Sequence, residues 1–392
     1  MKTVGQIILR EWKRIFRLPV FFIVLLIVPP ILFLFYGFIY QNKFAENLPV
    51  AIWDEDHSEV SATLTDMMHN TKSVDFTEIV HSKSEMEQLI LENKVQGAVH
   101  IPKDLEKDIK NGKQTQITVY TNASSLVASK MIYKDAAGVV IKGGLAVVFQ
   151  KLTQQGMPAS EANALIQPIR LNTYTLYNPE YNYQEYLVPG LVSVGLQMVI
   201  IIVCVFLLNW EIKTNTVKEL IEVSNGSAFK IIAGKALAVL GISWVIFIFI
   251  QYFLFPVYDL NRPDTSRSFF VLFNLLVLAC IGFGMLISAI FDDVMISGDI
   301  ALFFTSPAFV FSGFTFPRNA MPWYDQYYAE LMPYTHFLDG FIKAYFMQLP
   351  FDYYTKEMLI LCVMIFIFFG GSILVYRQKI NRKFKAYVQG GF

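Results

Sequence analysis

The sequence predicts an α-helical polytopic membrane protein: six transmembrane helices plus an inserted α/β extracytoplasmic domain. Three observations lead there. First, 54% of the 392 residues are apolar and only 16% are charged, against about 25% charged in a soluble domain. Second, six runs of at least 18 residues contain no Asp, Glu, Lys or Arg: 18–40, 187–210, 236–258, 268–291, 300–317, and 357–376 after its opening Glu357. About 20 apolar residues cross the roughly 30 Å of bilayer hydrocarbon; one such run can be a buried soluble helix, but six in one chain argue against it. Third, residues 41–185 interrupt the pattern with a polar stretch holding 13 of the 32 Lys and Arg residues, long enough for one compact domain.

The first span, 19–40, is too long and too aromatic for a signal-peptide core, and no small-residue cleavage site follows it. Pro29-Pro30 in its middle should kink it, since each proline removes a backbone donor. In the domain at 41–185, PVAIWD (49–54), SVDFTEI (73–79), QGAVHIP (96–102) and QITVYTN (116–122) read as strands. Between them, 58–70 reads as a helix opened by Ser58 with Ser61 nearby. Residues 82–93 have a capping-box pattern, Ser82 or Ser84 with Glu85 or Glu87. Residues 126–156 read as a long helix weakened by Gly138 and Gly143-Gly144, and 169–178 alternates like a further strand. Strands alternating with helices predict a small α/β fold. The remaining spans are expected at 186–210, 236–258, 268–291, 298–313 and 357–376, followed by a basic tail, 377–392.

Lys and Arg in short loops set orientation. With the N-terminus in the cytoplasm, the inner segments hold fourteen: Lys2, Arg10, Lys13, Arg14 and Arg17; Lys213, Lys218, Lys230 and Lys235; and Arg377, Lys379, Arg382, Lys383 and Lys385. The short outer segments hold five: Arg262, Arg267, Arg318, Lys343 and Lys356. Both termini are therefore expected in the cytoplasm, with 41–185 extracytoplasmic and the tail against anionic headgroups. The net charge of zero implies no nucleic-acid partner. Cys204, Cys280 and Cys362 all fall in apolar runs, so no disulfide framework is expected.

No phosphate-cradling GxxxxGK[ST] occurs, and neither do HExxH or GxSxG. GFGMLI (282–287) lies inside an uncharged span, where its glycines suit close helix packing. The five histidines show no ligand spacing and are expected in surface or loop roles. The apolar runs hold no fixed charge, so no buried ionisable cluster is expected in the spans. No catalytic or metal site is predicted.

Four segments carry a family resemblance. PVAIWDEDHSEVSATL (49–64), IPKDLEKDIKNGKQTQITVYTNAS (101–124), YNPEYNYQEYLVPGL (177–191) and FSGFTFPRNAMPWYDQYYAELMPYTHFLDGF (311–341) occur in that order. Together they resemble type-2 ABC transporter permeases over almost the whole chain. The resemblance implies half of a bacterial exporter in the cytoplasmic (inner) membrane, paired with a second permease chain and driven by a separate ABC ATPase. ATP and magnesium would bind on that ATPase, with no cofactor on this chain; a periplasmic adaptor is a further partner the family allows. It also implies an amphipathic helix at 1–18 lying on membrane lipid. GQIILREWKRIFRLP (5–19) fits, with Ile8, Trp12, Ile15 and Phe16 on one face and Arg10, Lys13, Arg14 and Arg17 placed for headgroups.

The cytoplasmic loop 211–235 is the coupling element that the resemblance implies. Glu211, Thr216, Leu220, Ser227, Gly234 and Lys235 match the family pattern and are expected at or beside the ATPase. Trp210 replaces an Arg, which leaves a salt bridge from that position unsupported. Asn215 replaces a Gly and can form the same left-handed turn; Ser224-Asn225 replaces Thr-Pro. Residues 314–345 resemble a re-entrant segment that gates the outer side. Its expected members are Gly313, Phe314, Phe316, Pro317, Met321, Pro322, Trp323 and Pro333, with Arg318 hydrated at the headgroups. Cargo is expected to be hydrophobic or amphipathic. The competing class is a membrane sensor or assembly scaffold whose extracytoplasmic domain binds a ligand.

Overall fold

A computed structural model describes residues 2–43, 46–169, 171–179, 181–260 and 266–389. Arg262 lies outside the described residues, as do the side chains of Arg382, Lys383 and Lys385. The chain forms two compact units, 44–174 and the remainder.

The smaller unit holds a four-stranded sheet, β1 (Leu48–Asp54), β2 (Val74–Ile79), β3 (Gly97–Ile101) and β4 (Thr118–Thr121), in the order β2-β1-β3-β4. β1 is parallel to β2 and β3, and β4 is antiparallel to β3. The centre of β1, Val50–Ile52, is apolar and buried because both of its faces are covered. Val50 and Ile52 pack on Leu64, Met68 and Ile132, while Ala51 faces Val80, Met86 and Val95. The helix Glu59–His69 starts at Ser58, whose Oγ accepts from Ser61 N at 3.1 Å, while Ser61 Oγ accepts from Ser58 N at 3.0 Å. Helix Lys83–Leu91 starts at Ser82, and Glu85 Oε2 accepts from His81 N at 2.9 Å. Leu126–Gln154 is one unbroken helix. Its glycines cost about 1 kcal/mol each relative to Ala, which the burial of Ile132, Ala136 and Val139 offsets.

One expected strand is absent. Among the described residues, 169–178 is irregular, with Leu171, Tyr174 and Leu176 exposed. Its alternation came from polar Asn and Thr between large apolar residues. A strand also needs a partner edge, and 169–178 pairs with none of the four strands.

The larger unit contains six membrane-spanning helices: Pro19–Ile39, Tyr183–Lys213, Ala228–Val257, Ser266–Ile290, Val294–Phe311 and Phe351–Asn381, here spans 1 to 6. Spans 2, 3 and 4 form the core: 72% of an 18-residue apolar stretch of span 2 is buried, against 17% of such a stretch in span 6. In span 1 the chain passes through a π-helical turn, Ile23–Ile27, just ahead of Pro29 and Pro30, so the prolines disturb the helix without ending it. Span 5 breaks around Pro307, between the helices Val294–Thr305 and Ala308–Phe311.

Several span boundaries differ from expectation. Spans 2 and 3 run past their uncharged runs, so Glu211 and Lys235 belong to the span helices and the connector shortens to 214–227. Span 5 starts at Val294 and contains the exposed Asp299. Charge-free spans were therefore the wrong expectation: helices end where their backbone hydrogen bonds end, not where the first charge falls.

Candidate functional site

The N-terminal helix, Lys2–Arg17, lies along the start of span 3. Ile7, Glu11 and Ile15 are fully buried, while Phe16 is 58% exposed. Of the stripe of Ile8, Trp12, Ile15 and Phe16 expected from the sequence, Ile15 is on the packed face, while Trp12 and Phe16 are left exposed and Ile7 and Glu11 are buried instead. Gly234 makes this possible, because a Cβ there would come within 2.6 Å of Ile7. Trp12 sits at the edge of the contact, its Nε1 donating to Ala238 O at 3.0 Å.

Burying Glu11 on that face brings five ionised groups together. Glu211, in the last turn of span 2, has no exposed surface. Arg10 donates to both of its oxygens, at 2.7 and 3.0 Å. Arg14 also donates to both, with Nη2 at 3.2 Å from Oε2. Lys235 Nζ donates to Glu211 Oε1 at 2.9 Å and to Leu207 O at 3.0 Å, and lies 2.8 Å from Glu11 Oε1. Thr216 Oγ1 donates to Glu211 Oε2 at 2.5 Å. Glu219, more exposed, stands 3.6 Å from Arg10, so three cations meet three carboxylates. Burial alone would lower the pKa of the Arg10 guanidinium, but the Glu211 hydrogen bonds and charge outweigh it and hold it above its ordinary value.

A buried ionisable cluster therefore does occupy the ends of the spans. Arg14 is enclosed in it rather than placed for lipid headgroups; Arg17 is exposed. Of the residues expected against a partner, Glu211, Leu220 and Lys235 are fully buried within the chain. The connector helix, Val217–Ser224, turns Leu220 and Ser224 inward and leaves Glu219 and Glu222 outward. Asn215 enters it in the left-handed conformation (φ 54°), and Asn225 leaves it likewise (φ 54°). Ser227 caps span 3 by accepting from Lys230 N at 3.4 Å. Trp210 meets Phe21 edge-on and lies under Lys213.

The other end of span 2 holds the segment that follows span 5. Gly313 turns the chain with φ 92°. Phe314 stacks on Tyr186, centroids 4.7 Å apart, and its carbonyl accepts from Tyr186 Oη at 2.6 Å. Its ring lies where a Cβ on Gly190 would be, 2.3 Å away. Tyr334 Oη donates to Gly190 O at 2.8 Å. Two helices follow, Trp323–Glu330 and Pro333–Phe341, then a π-helical turn, Ile342–Phe346. Phe314, Met321 and Pro333 are buried, whereas Phe316, Pro317, Pro322, Trp323 and Leu331 are exposed. The segment is thus only half enclosed. Arg318 is not left to water, since it pairs with Asp339 and Glu330. His336 is 2% exposed, unlike the surface role expected; it fills a place in the packed helix and meets the Glu330 carbonyl at 2.8 Å.

Sequence reasoning missed Arg10 and Arg14 as partners of Glu211, and Glu11 as a partner of Lys235. The available signal was Glu11 itself, a carboxylate four residues from Ile7 and four from Ile15, inside an apolar stripe.

Six spans, an entry helix locked to the connector, and a broken segment packed on the far end of the same span are the parts of a membrane permease. The chain belongs to the ABC-2 family: the model for ABC-2 family transporter protein matches residues 19–374. Among similar proteins is the probable multidrug ABC transporter permease YbhR of Escherichia coli (strain K12), 21% identical over 334 residues, covering 85% of this chain and 87% of that protein. Another is the probable multidrug ABC transporter permease YbhS of the same organism, 22% identical over 329 residues, covering 82% of each. ATPases of this family are separate subunits, and the chain is a permease rather than an enzyme.

Proposed function

We propose that this chain is the export permease of an ATP-driven multidrug-type transporter, working as a pair of permease chains on a separate ATPase. The Glu211 cluster carries the reading, because it ties the connector, the N-terminal helix and spans 2 and 3 into one unit. The ATPase, holding ATP and magnesium, docks on the outward edge of Val217–Ser224. Its motion passes through Leu220 and Thr216 to Glu211 and Lys235. Ser227 and Gly234 keep the start of span 3 capped and close to Ile7. Span 2 then carries the displacement, over the 25 residues from Glu211 to Tyr186 or about 38 Å, to Tyr186 and Gly190, where Phe314 rests. The segment from Gly313 to 345 acts as the gate.

The lysine and arginine distribution supports a bacterial inner-membrane placement with both termini cytoplasmic and 41–185 extracytoplasmic. The names of the two relatives and the apolar uncovered faces of spans 1, 5 and 6 support hydrophobic or amphipathic cargo. An adaptor on the outer side remains compatible with this placement.

Co-purification with the ATPase, followed by hydrolysis assays across hydrophobic drugs, tests the proposal. Stimulated hydrolysis that disappears in a Leu220→Asp variant of normal abundance is the expected result. A chain that retains no ATPase under mild extraction overturns it.

A further inference from the structure

A groove of about 710 Å³ runs down the uncovered side of spans 3 and 4, at the end where span 3 finishes and span 4 begins. Trp244 and Ile248 of span 3 form one wall, and Phe270 and Val271 of span 4 the other. The buried Phe247 closes the floor against Phe269 and Phe273. Trp244 Nε1 donates to Asn274 Oδ1 at 2.8 Å, and Asn274 Nδ2 donates to Phe270 O at 2.7 Å. The indole is thus held with its polar edge satisfied and its ring left to the groove. Above it, span 3 loosens into a π-helical turn, Ile250–Leu254, with Gln251 buried and Tyr252 exposed. Gln251 Nε2 donates to Ser266 Oγ at 3.2 Å across the mouth.

The mouth differs from the walls in its charge. Arg267, the second residue of span 4, is exposed there and has no ion pair among the described residues. No carboxylate lines the groove, and Asp259, which follows span 3 at the same end, stands 3.7 Å from Lys43. A guanidinium pairs its donors with phosphate oxygens, and basic pockets between spans select anionic lipid. The depth agrees. Arg267 and Tyr252 stand at the span ends, and Trp244 lies eight residues below Tyr252, or about 12 Å into the hydrocarbon. We propose that this groove binds one anionic phospholipid, with an acyl chain along Trp244 and the phosphate on Arg267 beside Ser266.

A second groove supplies the contrast. It lies between spans 4 and 6, holds about 530 Å³, and is lined by Leu275, Cys362, Phe366 and Ile373 among others, with no charged residue. Such a slot accepts the tail of any lipid, whereas the groove at Arg267 adds a fixed positive charge where a headgroup sits. Behind its floor, Phe269 meets Phe341 of the helix Pro333–Phe341, centroids 5.6 Å apart. The bound tail therefore packs one layer of rings away from the segment assigned to the gate. The lipid site goes beyond the transport reading and needs neither the ATPase nor the proposed orientation.

Tail-brominated lipids quench a tryptophan they touch, so the full chain in phosphatidylcholine vesicles doped with brominated phosphatidylglycerol or brominated phosphatidylcholine tests this. The quenching lost in Trp244→Phe belongs to the groove. That component should favour phosphatidylglycerol by about fivefold, the worth of one basic residue near an anionic headgroup. Arg267→Gln should abolish the preference without changing Tm, and a Phe366→Trp reporter in the uncharged groove should show none. Equal quenching of Trp244 by the two lipids overturns the proposal and leaves the groove to ordinary bilayer lipid. A preference that survives Arg267→Gln, or that recurs at 366, belongs to surface charge at large and overturns it as well. Native mass spectrometry gives a reading that needs no tryptophan variant. From an equal mixture of the two lipids, wild type should retain one phosphatidylglycerol per chain and Arg267→Gln none; equal retention by both overturns the site.

Discussion

Glu211 accepts from three cations and a hydroxyl with no surface exposed. Removing one member of a buried ionic group costs about 3–5 kcal/mol because its partners stay buried and unpaired. Charge counting ranks the losses. Glu211→Gln leaves Arg10, Arg14 and Lys235 facing Glu11 and the exposed Glu219, whereas Lys235→Met leaves two arginines with the carboxylates. Both should lower Tm in detergent, Glu211→Gln by more; equal or reversed losses would show that charge balance is not what holds the cluster. At Gly190 the argument is steric. A Cβ there meets the Phe314 ring at 2.3 Å, and forced overpacking costs about 1–3 kcal/mol. Gly190→Val should displace Phe314 and lower Tm by an amount matching that cost, and an unchanged Tm would contradict the packing. Glu211, Thr216 and Lys235 stood out in the sequence from their family pattern. Their inward direction did not, because two of the three cations that enclose Glu211, Arg10 and Arg14, lie about two hundred positions earlier in the chain, and no local spacing encodes that meeting.

The spans could be read as elements because bilayer thickness demands long uncharged runs whatever their neighbours. The caps at Ser58 and Ser82 were equally legible, being encoded within four residues. The 169–178 stretch was misread because alternation reports only that a strand is possible, while pairing depends on a free edge elsewhere. The face of the N-terminal helix was misplaced for a similar reason: Glu11 reads as polar until its partners are known. Contact between this helix and span 3 depends on Gly234, so Gly234→Leu should lever the helix away. Arg10 and Arg14, now held by Glu211, would then become accessible. Trypsin should cut there faster in the variant than in wild type, and equal cleavage rates would mean that the helix is held by something other than this close approach.

The six spans form one chain whose faces are unequally covered. Spans 5 and 6 are both largely uncovered, with 28% and 17% buried, yet their surfaces differ. Span 6 shows Leu359, Val363, Phe366 and Ile367, a surface suited to lipid tails. Span 5 is the least hydropathic of the six, at 1.7 against 2.8 for span 6. Along one of its edges, Met295, Asp299 and Phe303 follow at intervals of four and are all exposed. A carboxylate on a lipid-facing helix is expensive, and ionisable residues in spans normally face protein or water. If two permease chains pair as proposed, Asp299 argues that span 5, rather than span 6, lines the seam between them. The prediction is a contrast between two single-cysteine variants, with the native cysteines replaced. Phe303→Cys should cross-link to a copy-to-copy dimer in membranes under mild oxidation, and Phe366→Cys should not. If the pairing partner is a different permease, the same contrast appears as a heterodimeric band. Cross-linking at 366 in place of 303 would move the seam to span 6 and leave Asp299 to be explained by a water-filled path along the outside of the bundle.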